Sequence, residues 1–211
     1  MNKDNFAKLI EAIEKDGRTR FSMSCFLGKI DATEEIINSF LSKNLPINTL
    51  PVFSLENVET TEMFNCDSVG CIAGFATALA NDWITPEFLQ EDNAIYEEHW
   101  QQFEIEANRF LGLTAQESNN LYYSKNTSVW KMVKWFEPER YPKLEWDEPE
   151  SVIAFHKSNN QSWRDNNAEI NLQSIDYKTA VDVLTRIMNG EIILANNAGR
   201  GIPQYIEKEE A

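Results

Sequence analysis

The sequence predicts a mainly α-helical single domain, a compact helical body with one small β-hairpin, built around a central helix of small residues. Three observations predict it. Apolar residues recur at spacings of three and four in several separate stretches, and capping residues stand before those stretches with glycines after them. A run from Gly70 to Ala80 carries so little bulk that neighbouring helices can approach it closely. With 211 residues, 42% hydrophobic and 11% aromatic, the chain can bury most of its unfolded surface in one core.

Phe6, Leu9, Ile10 and Ile13 form a first helical stripe, expected to end at Gly17. The alternation of Phe21, Met23 and Cys25 makes Arg20 to Leu27 read as extended. Ile36, Ile37, Phe40 and Leu41 give a second stripe behind the capping pattern Asp31-Ala-Thr-Glu34. The segment 44–65 contains Pro46 and Pro51, shows no sustained period, and reads as a long connection with one short strand near Val52-Phe53. The central helix is expected from about Ser68 to Asn81, and Thr85-Pro86-Glu87 starts a short helix after it. Tyr96, Trp100, Phe103, Ala107, Phe110 and Leu111 fall within about 100° of arc at 3.6 residues per turn, giving a helix over 95–111 that Gly112 stops. A capping box follows at Thr114 and Glu117. The segment 137–150, with Pro138, Pro142 and Pro149, reads as irregular, and 156–173 as polar. Ala180, Val181, Leu184, Ile187 and Met188 give a last amphipathic helix over 176–189, closed by Gly190. The helices over 95–111 and 176–189 are expected to pack the central one.

The central helix opens with Asn65-Cys-Asp-Ser-Val-Gly-Cys-Ile-Ala-Gly-Phe-Ala76. With Asp67 as the N-cap, Cys66 takes N′ and Cys71 takes N4, the two positions of a hydrophobic staple, so the spacing needs no metal. Asp67 or Ser68 then accepts a hydrogen bond from a first-turn amide, worth about 1 kcal/mol in a typical cap. Gly70 and Gly74 keep the helix slim, and Cys66, Asp67, Ser68, Gly70, Cys71 and Gly74 are read as a structural motif. Zinc held by Cys25, Cys66, Cys71 and His99 is the sharper alternative, weakened by a Cys-x4-Cys spacing wider than the usual knuckle. A thiol nucleophile at the helix N-terminus, or a redox-sensitive Cys66 and Cys71 pair, are the others.

This stretch resembles the Cys-Gly-Thr-x-x-Cys-Ile-Ala-Gly-Trp-Ala signature of a family of small bacteriophage and bacterial proteins of uncharacterised function. Phe110-Leu-Gly-Leu-Thr114 and Leu121-Tyr-Tyr123 resemble the Leu-Gly-Leu-Thr and Leu-Phe elements that follow the signature in that family. The likeness is carried by residues 65–76 and 107–123, with weaker echoes at Phe21-Ser-Met23 and in the helix from Asp176 to Met188. Asp67, Ser68 and Phe75 stand where Gly, Thr and Trp are common; a packing role survives those changes, whereas a chemistry needing the common residues does not.

The net charge of −15 is concentrated. Between Asn44 and Asn108 there is no Lys or Arg, while twelve acids fall there, so contact of that part with a nucleic-acid backbone is disfavoured and contact with a basic surface favoured. On the 95–111 helix Glu97, Glu98, Glu104 and Glu106 lie outside the apolar arc and Ile105 faces away from it, which predicts an acidic rim around an apolar anchor. Neither a P-loop, a Gly-x-Gly-x-x-Gly, a His-Glu-x-x-His nor a Gly-x-Ser-x-Gly occurs, and the two histidines, His99 and His156, stand apart. Gly199-Arg-Gly201 reads as a surface loop before an acidic tail. No catalytic residue, metal or cofactor is assigned. The odd count of three cysteines and the absence of an apolar leader or a run of about 20 apolar residues predict a cytoplasmic protein that does not enter a membrane. The expected function is that of a non-enzymatic acidic interaction protein, and the family resemblance implies a phage accessory factor that binds and inhibits a host protein, with DNA mimicry or counter-defence as special cases. The alternative is a small-molecule binder or enzyme with a pocket beside the 68–81 helix, lined by aromatics such as Trp83, Trp100, Trp130 and Trp135.

Overall fold

Among the described residues, stripes of apolar residues at helical spacing give helices with the stripe buried. A computed structural model describes residues 1–23, 27–30, 39, 52–53, 68–80, 96–124, 127–195 and 201–206. Among them the chain is mainly helical, with small antiparallel sheets. Its contacts group into two compact units, Met1–Gly112 and Leu113–Ala211.

In the first unit, α1 spans Lys3–Arg20, with Asn2 as the N-cap accepting from the Asn5 amide. Phe6, Leu9, Ile10 and Ile13 are buried as the spacing predicts. The helix does not end at Gly17: it runs on to Arg20, and the Gly17 carbonyl accepts the Phe21 amide at 3.1 Å. Gly17 and Phe21 are both buried, extending the stripe by another turn. Tertiary burial here outweighs the roughly 1 kcal/mol that glycine costs inside a helix. Strands β1 (Leu27–Ile30), β2 (Val52–Phe53) and β3 (Ser68–Gly70) form a sheet in the order β2-β1-β3, antiparallel throughout. The strand expected at Val52-Phe53 is thus present; of the extended segment expected over 20–27, Arg20 ends α1, Phe21 is a bridge residue, Met23 lies in a turn and Leu27 begins β1, while 24–26 lie outside the described residues. Of the stripe from Ile36 to Leu41, Ser39 alone is described, and it is helical; the helix expected from Thr85 lies outside the described residues.

Helix α2 spans Ile72–Ala80 and packs mostly on α3, Tyr96–Leu111, and also on α1. Ala73, Gly74 and Ala76 are buried, which is what lets these helices lie close. Helix α3 stops at Gly112, whose φ of +65° suits glycine; a Cβ there would lie 3.1 Å from the Asn2 nitrogen. The last carbonyls of α3 are satisfied by the start of α1, with Asn2 N–H donating to Leu111 at 2.7 Å and Asn5 Nδ2 to Phe110 at 2.7 Å.

The second unit begins with α4, Ala115–Tyr122. Its expected capping box is formed, with Glu117 accepting from the Thr114 amide at 2.8 Å and the Glu117 amide donating to Thr114 Oγ1 at 3.3 Å. Helix α5 (Val129–Phe136) starts at the Ser128 cap, and its Trp130 is fully buried with Nε1 donating to the Leu121 carbonyl at 2.7 Å. The proline-rich stretch after it is turns and bends, with an isolated bridge between Trp146 and Ile170. Helix α6 (Glu150–Ser158) then forms without any signal noted in the sequence. Helix α7 (Tyr177–Met188) is capped by Asp176 and followed by Gly190 at φ +76°, as expected, and buries Ala180, Val183, Leu184 and Ile187. Strands β4 (Ile192–Ile193) and β5 (Gln204–Tyr205) pair antiparallel as a two-stranded ribbon. Buried Asn120 holds the ends of the connection between them, donating to the carbonyls of Leu194 and Gly201 at 2.6 Å each.

Candidate functional site

The cysteine motif is divided between two elements. Ser68 and Gly70 lie in β3, paired with Lys29 and Leu27, so the helix expected from Ser68 begins only at Ile72. The ladder takes up the backbone groups that an earlier helix start would have used. Cys71 therefore stands at the N-cap and not at N4: its carbonyl accepts the Phe75 amide at 2.9 Å, the first bond of the helix. Cys66 and Asp67, the other members of the expected staple and cap, lie outside the described residues. Burial pushes the Cys71 thiol up to about 11, although the amides of Gly74 and Ala73 donate toward it and favour the thiolate. Such a thiol is a poor nucleophile at neutral pH. Gly74 is buried within α2. Among the described residues no group of three metal-binding side chains occurs; Cys25 and the His99 side chain are outside them.

The expected acidic face of α3 is only partly as drawn. Ile105 is 48% exposed, on the side away from buried Ala107 and Leu111. Glu104 is half-buried. Glu106 corrects the expectation: it is 8% exposed, and Arg109 Nη1 donates to its two oxygens at 2.8 and 3.0 Å. Glu106 sits about 90° from the centre of the apolar arc at 100° per residue, and the arginine one turn later neutralises it as it is covered. Glu97 and Glu98 are in the helix, but their side chains lie outside the described residues.

The densest polar arrangement is in the second unit, where sequence reasoning placed nothing. Lys178, Asp182 and Arg186 follow at intervals of four along one face of α7. Glu137 ends α5, and Arg140 and Tyr141 stand in the turn after it. Arg186, 11% exposed, donates from Nη2 and Nη1 to the two Glu137 oxygens at 2.9 and 3.1 Å and from Nη1 to Tyr141 Oη at 2.8 Å. Tyr141 Oη in turn donates to Asp182 Oδ2 at 2.7 Å, and Arg140 grips the same carboxylate through Nε at 3.1 Å and Nη2 at 2.8 Å. The Arg186 guanidinium also lies 5.1 Å from the Tyr205 ring centre. Burial opposes ionisation of Asp182, but the bonds from Arg140 and Tyr141 outweigh it and hold the carboxyl below its ordinary value. Burial and the bond to Asp182 push Tyr141 well above the ordinary phenol range.

Beside this network lies a cleft of about 320 Å³ whose wall includes Arg140, Lys143, Asp176, Lys178 and Asp182. Its second ion pair joins Lys143 Nζ to Asp176 Oδ2 at 2.9 Å. Elsewhere in the unit Lys131 is fully buried, its ammonium donating to the Asn166 carbonyl. Burial pulls it down to about 8, against the opposing charges of Glu169 and Asp165. His156, the other histidine, is half-buried with Nδ1 2.5 Å from Gln161 Oε1, an ordinary surface tie. The interval of four from Lys178 to Arg186 was a readable signal for a charged face; its meeting with Glu137, Arg140 and Tyr141 was not, because those residues lie in an aperiodic stretch. No described helix is long and apolar enough to cross a membrane. Compared with known proteins, the chain matches no family model, no curated protein and no solved structure.

Proposed function

We propose that this chain is a non-enzymatic interaction protein that binds a basic surface on a partner protein through the outer face of α3. The observation that carries the reading is Ile105, an exposed isoleucine set in a stretch of 65 residues, 44–108, that has twelve acids and no Lys or Arg. An apolar anchor in a field of one sign is the arrangement in which charge steers encounter and buried apolar area holds the complex. Glu97, Glu98 and Glu104 supply the charge on that helix, while Glu106 is set aside by its bond to Arg109. Likeness to the phage and bacterial signature supports a host protein as the partner and inhibition as the outcome. The buried, high-pKa Cys71 thiol fits a packing role for the cysteine motif within such a protein.

The test is an affinity capture from bacterial lysate at about 0.1 M and 0.5 M salt, across which the screening length falls by about half. A single host protein should be retained at low salt, lost at high salt, lost in Ile105→Lys and lost in the Glu97→Gln, Glu98→Gln, Glu104→Gln triple variant. Glu106→Gln should capture it as the unaltered chain does. Equal capture by all variants overturns the reading.

A further inference from the structure

We infer that the cleft between the 140–143 turn and the first half of α7 binds small phosphate monoesters. The argument is an inventory of donors and acceptors on its wall. Asp182 accepts from Arg140 Nε, Arg140 Nη2 and Tyr141 Oη. Asp176 accepts from Lys143 Nζ and from the Thr179 amide at 2.8 Å. A carboxylate has about four lone-pair sites, so Asp182 is close to filled by the protein itself and Asp176 half filled.

The donors are not filled. Arg140 Nη1 lies 3.8 Å from Glu137 Oε2, beyond hydrogen-bond reach, and Lys143 uses one of its three protons on Asp176. Lys178 is exposed and has no ion pair among the described residues. Three cations against two committed carboxylates leave the cleft net positive, in a chain whose total charge is −15. A phosphate monoester brings close to two negative charges at pH 7 and three acceptor oxygens, which matches one guanidinium edge and two ammoniums. The volume, about 320 Å³, is at the small end for ligand sites, and suits a phosphate carrying a small organic group in preference to a dinucleotide. Asp176 already caps the Thr179 amide, so the helix end is not the source of the attraction; the side-chain cations are.

The experiment is an amide-resolved NMR titration at constant ionic strength with inorganic phosphate and with glucose 6-phosphate, alongside glucose and sodium sulfate. Saturable shifts confined to 140–143 and 176–182 are expected from both phosphates, with the sugar phosphate tighter, sulfate comparable to inorganic phosphate and glucose silent. Lys178→Gln and Lys143→Gln should each weaken binding by at least about fivefold, the loss of one charge-assisted contact. Both side chains are exposed, at 70% for Lys143, so the rest of each variant's spectrum should be unchanged. Absence of saturable shifts up to about 20 mM, sulfate binding as tightly as the sugar phosphate, or full affinity in both variants overturns the assignment. This outcome is independent of capture by α3.

Discussion

The two units treat their charges differently. In the second, charges are turned on one another: Arg186 joins Glu137 and Tyr141, Tyr141 joins Asp182, and Asp182 joins Arg140, so that α7 is tied to the end of α5 by a connected set of bonds. In the first, the stretch 44–108 contains no cation at all, so none of its twelve carboxylates can be neutralised from within it. Glu106 meets Arg109, the first basic residue after the stretch, and the fold covers it. The buried carboxylate of Glu106 has thus been given a cation. Charge serves cohesion in the second unit, whereas the stretch 44–108 carries an excess of acid that only cations outside it can neutralise.

Arg186→Met tests that contrast at its strongest point. It leaves Glu137 and Tyr141 without their donor in a site where Arg186 is 11% exposed, and should destabilise the second unit by about 3 kcal/mol in chemical denaturation. Glu106→Gln in the first unit should cost under about 1 kcal/mol, since its partner Arg109 is 72% exposed. Equal losses from the two changes would remove the distinction.

The pH dependence of stability separates the units again. Lys131 has its ordinary value of 10.5 when unfolded and about 8 when folded, so between those values the unfolded chain holds more protons and stability rises with pH. The full interval corresponds to about 3 kcal/mol. Cys71 has the opposite sign. Its ordinary value of 9.0 becomes about 11 on folding, so above pH 9 the unfolded chain loses the proton first and stability falls. Denaturation curves should therefore show a gain from pH 8 to 9 that flattens above 9. Lys131→Met should abolish the gain, and Cys71→Ser should let it continue toward pH 10. An unchanged slope in Lys131→Met would contradict the placement of that ammonium.

A smaller effect probes the start of α2. Cys71→Ala removes the group toward which the Ala73 and Gly74 amides point and should cost about 1 kcal/mol, whereas Cys71→Ser keeps an acceptor at the N-cap and should be milder. Similar losses from both, read by thermal unfolding, would show that the sulfur acts through its bulk.

What was legible in the sequence follows from how local its cause is. The stripe of α1, the Thr114 and Glu117 box, and the stop signals Gly112 and Gly190 are set by residues within a few positions of one another, and each is found where spacing put it. The start of α2 was misplaced because Ser68 to Gly70 pair with Leu27 to Lys29, some 40 residues away, and no local pattern carries that pairing. Gly17 was misread because burial of Phe21 rewards another helical turn. Ile105 was legible as the outward residue of an amphipathic helix, and Glu106 was not legible as buried, because the covered arc is wider than the apolar one. The 137–186 network joins an irregular turn to a helix face, so only the interval of four along that face offered a signal, and the sequence reading did not use it.

Ile105→Lys should change stability by no more than about 0.5 kcal/mol, as an exposed substitution away from caps and core, while it removes the anchor of the proposed interface. Hydrogen–deuterium exchange of the chain with the captured host protein, compared with the chain alone, tests the central claim most directly. New protection over 97–105, absent in the Ile105→Lys variant, is the predicted result. Protection confined to the second unit, with 97–105 exchanging as in the unbound chain, would contradict it.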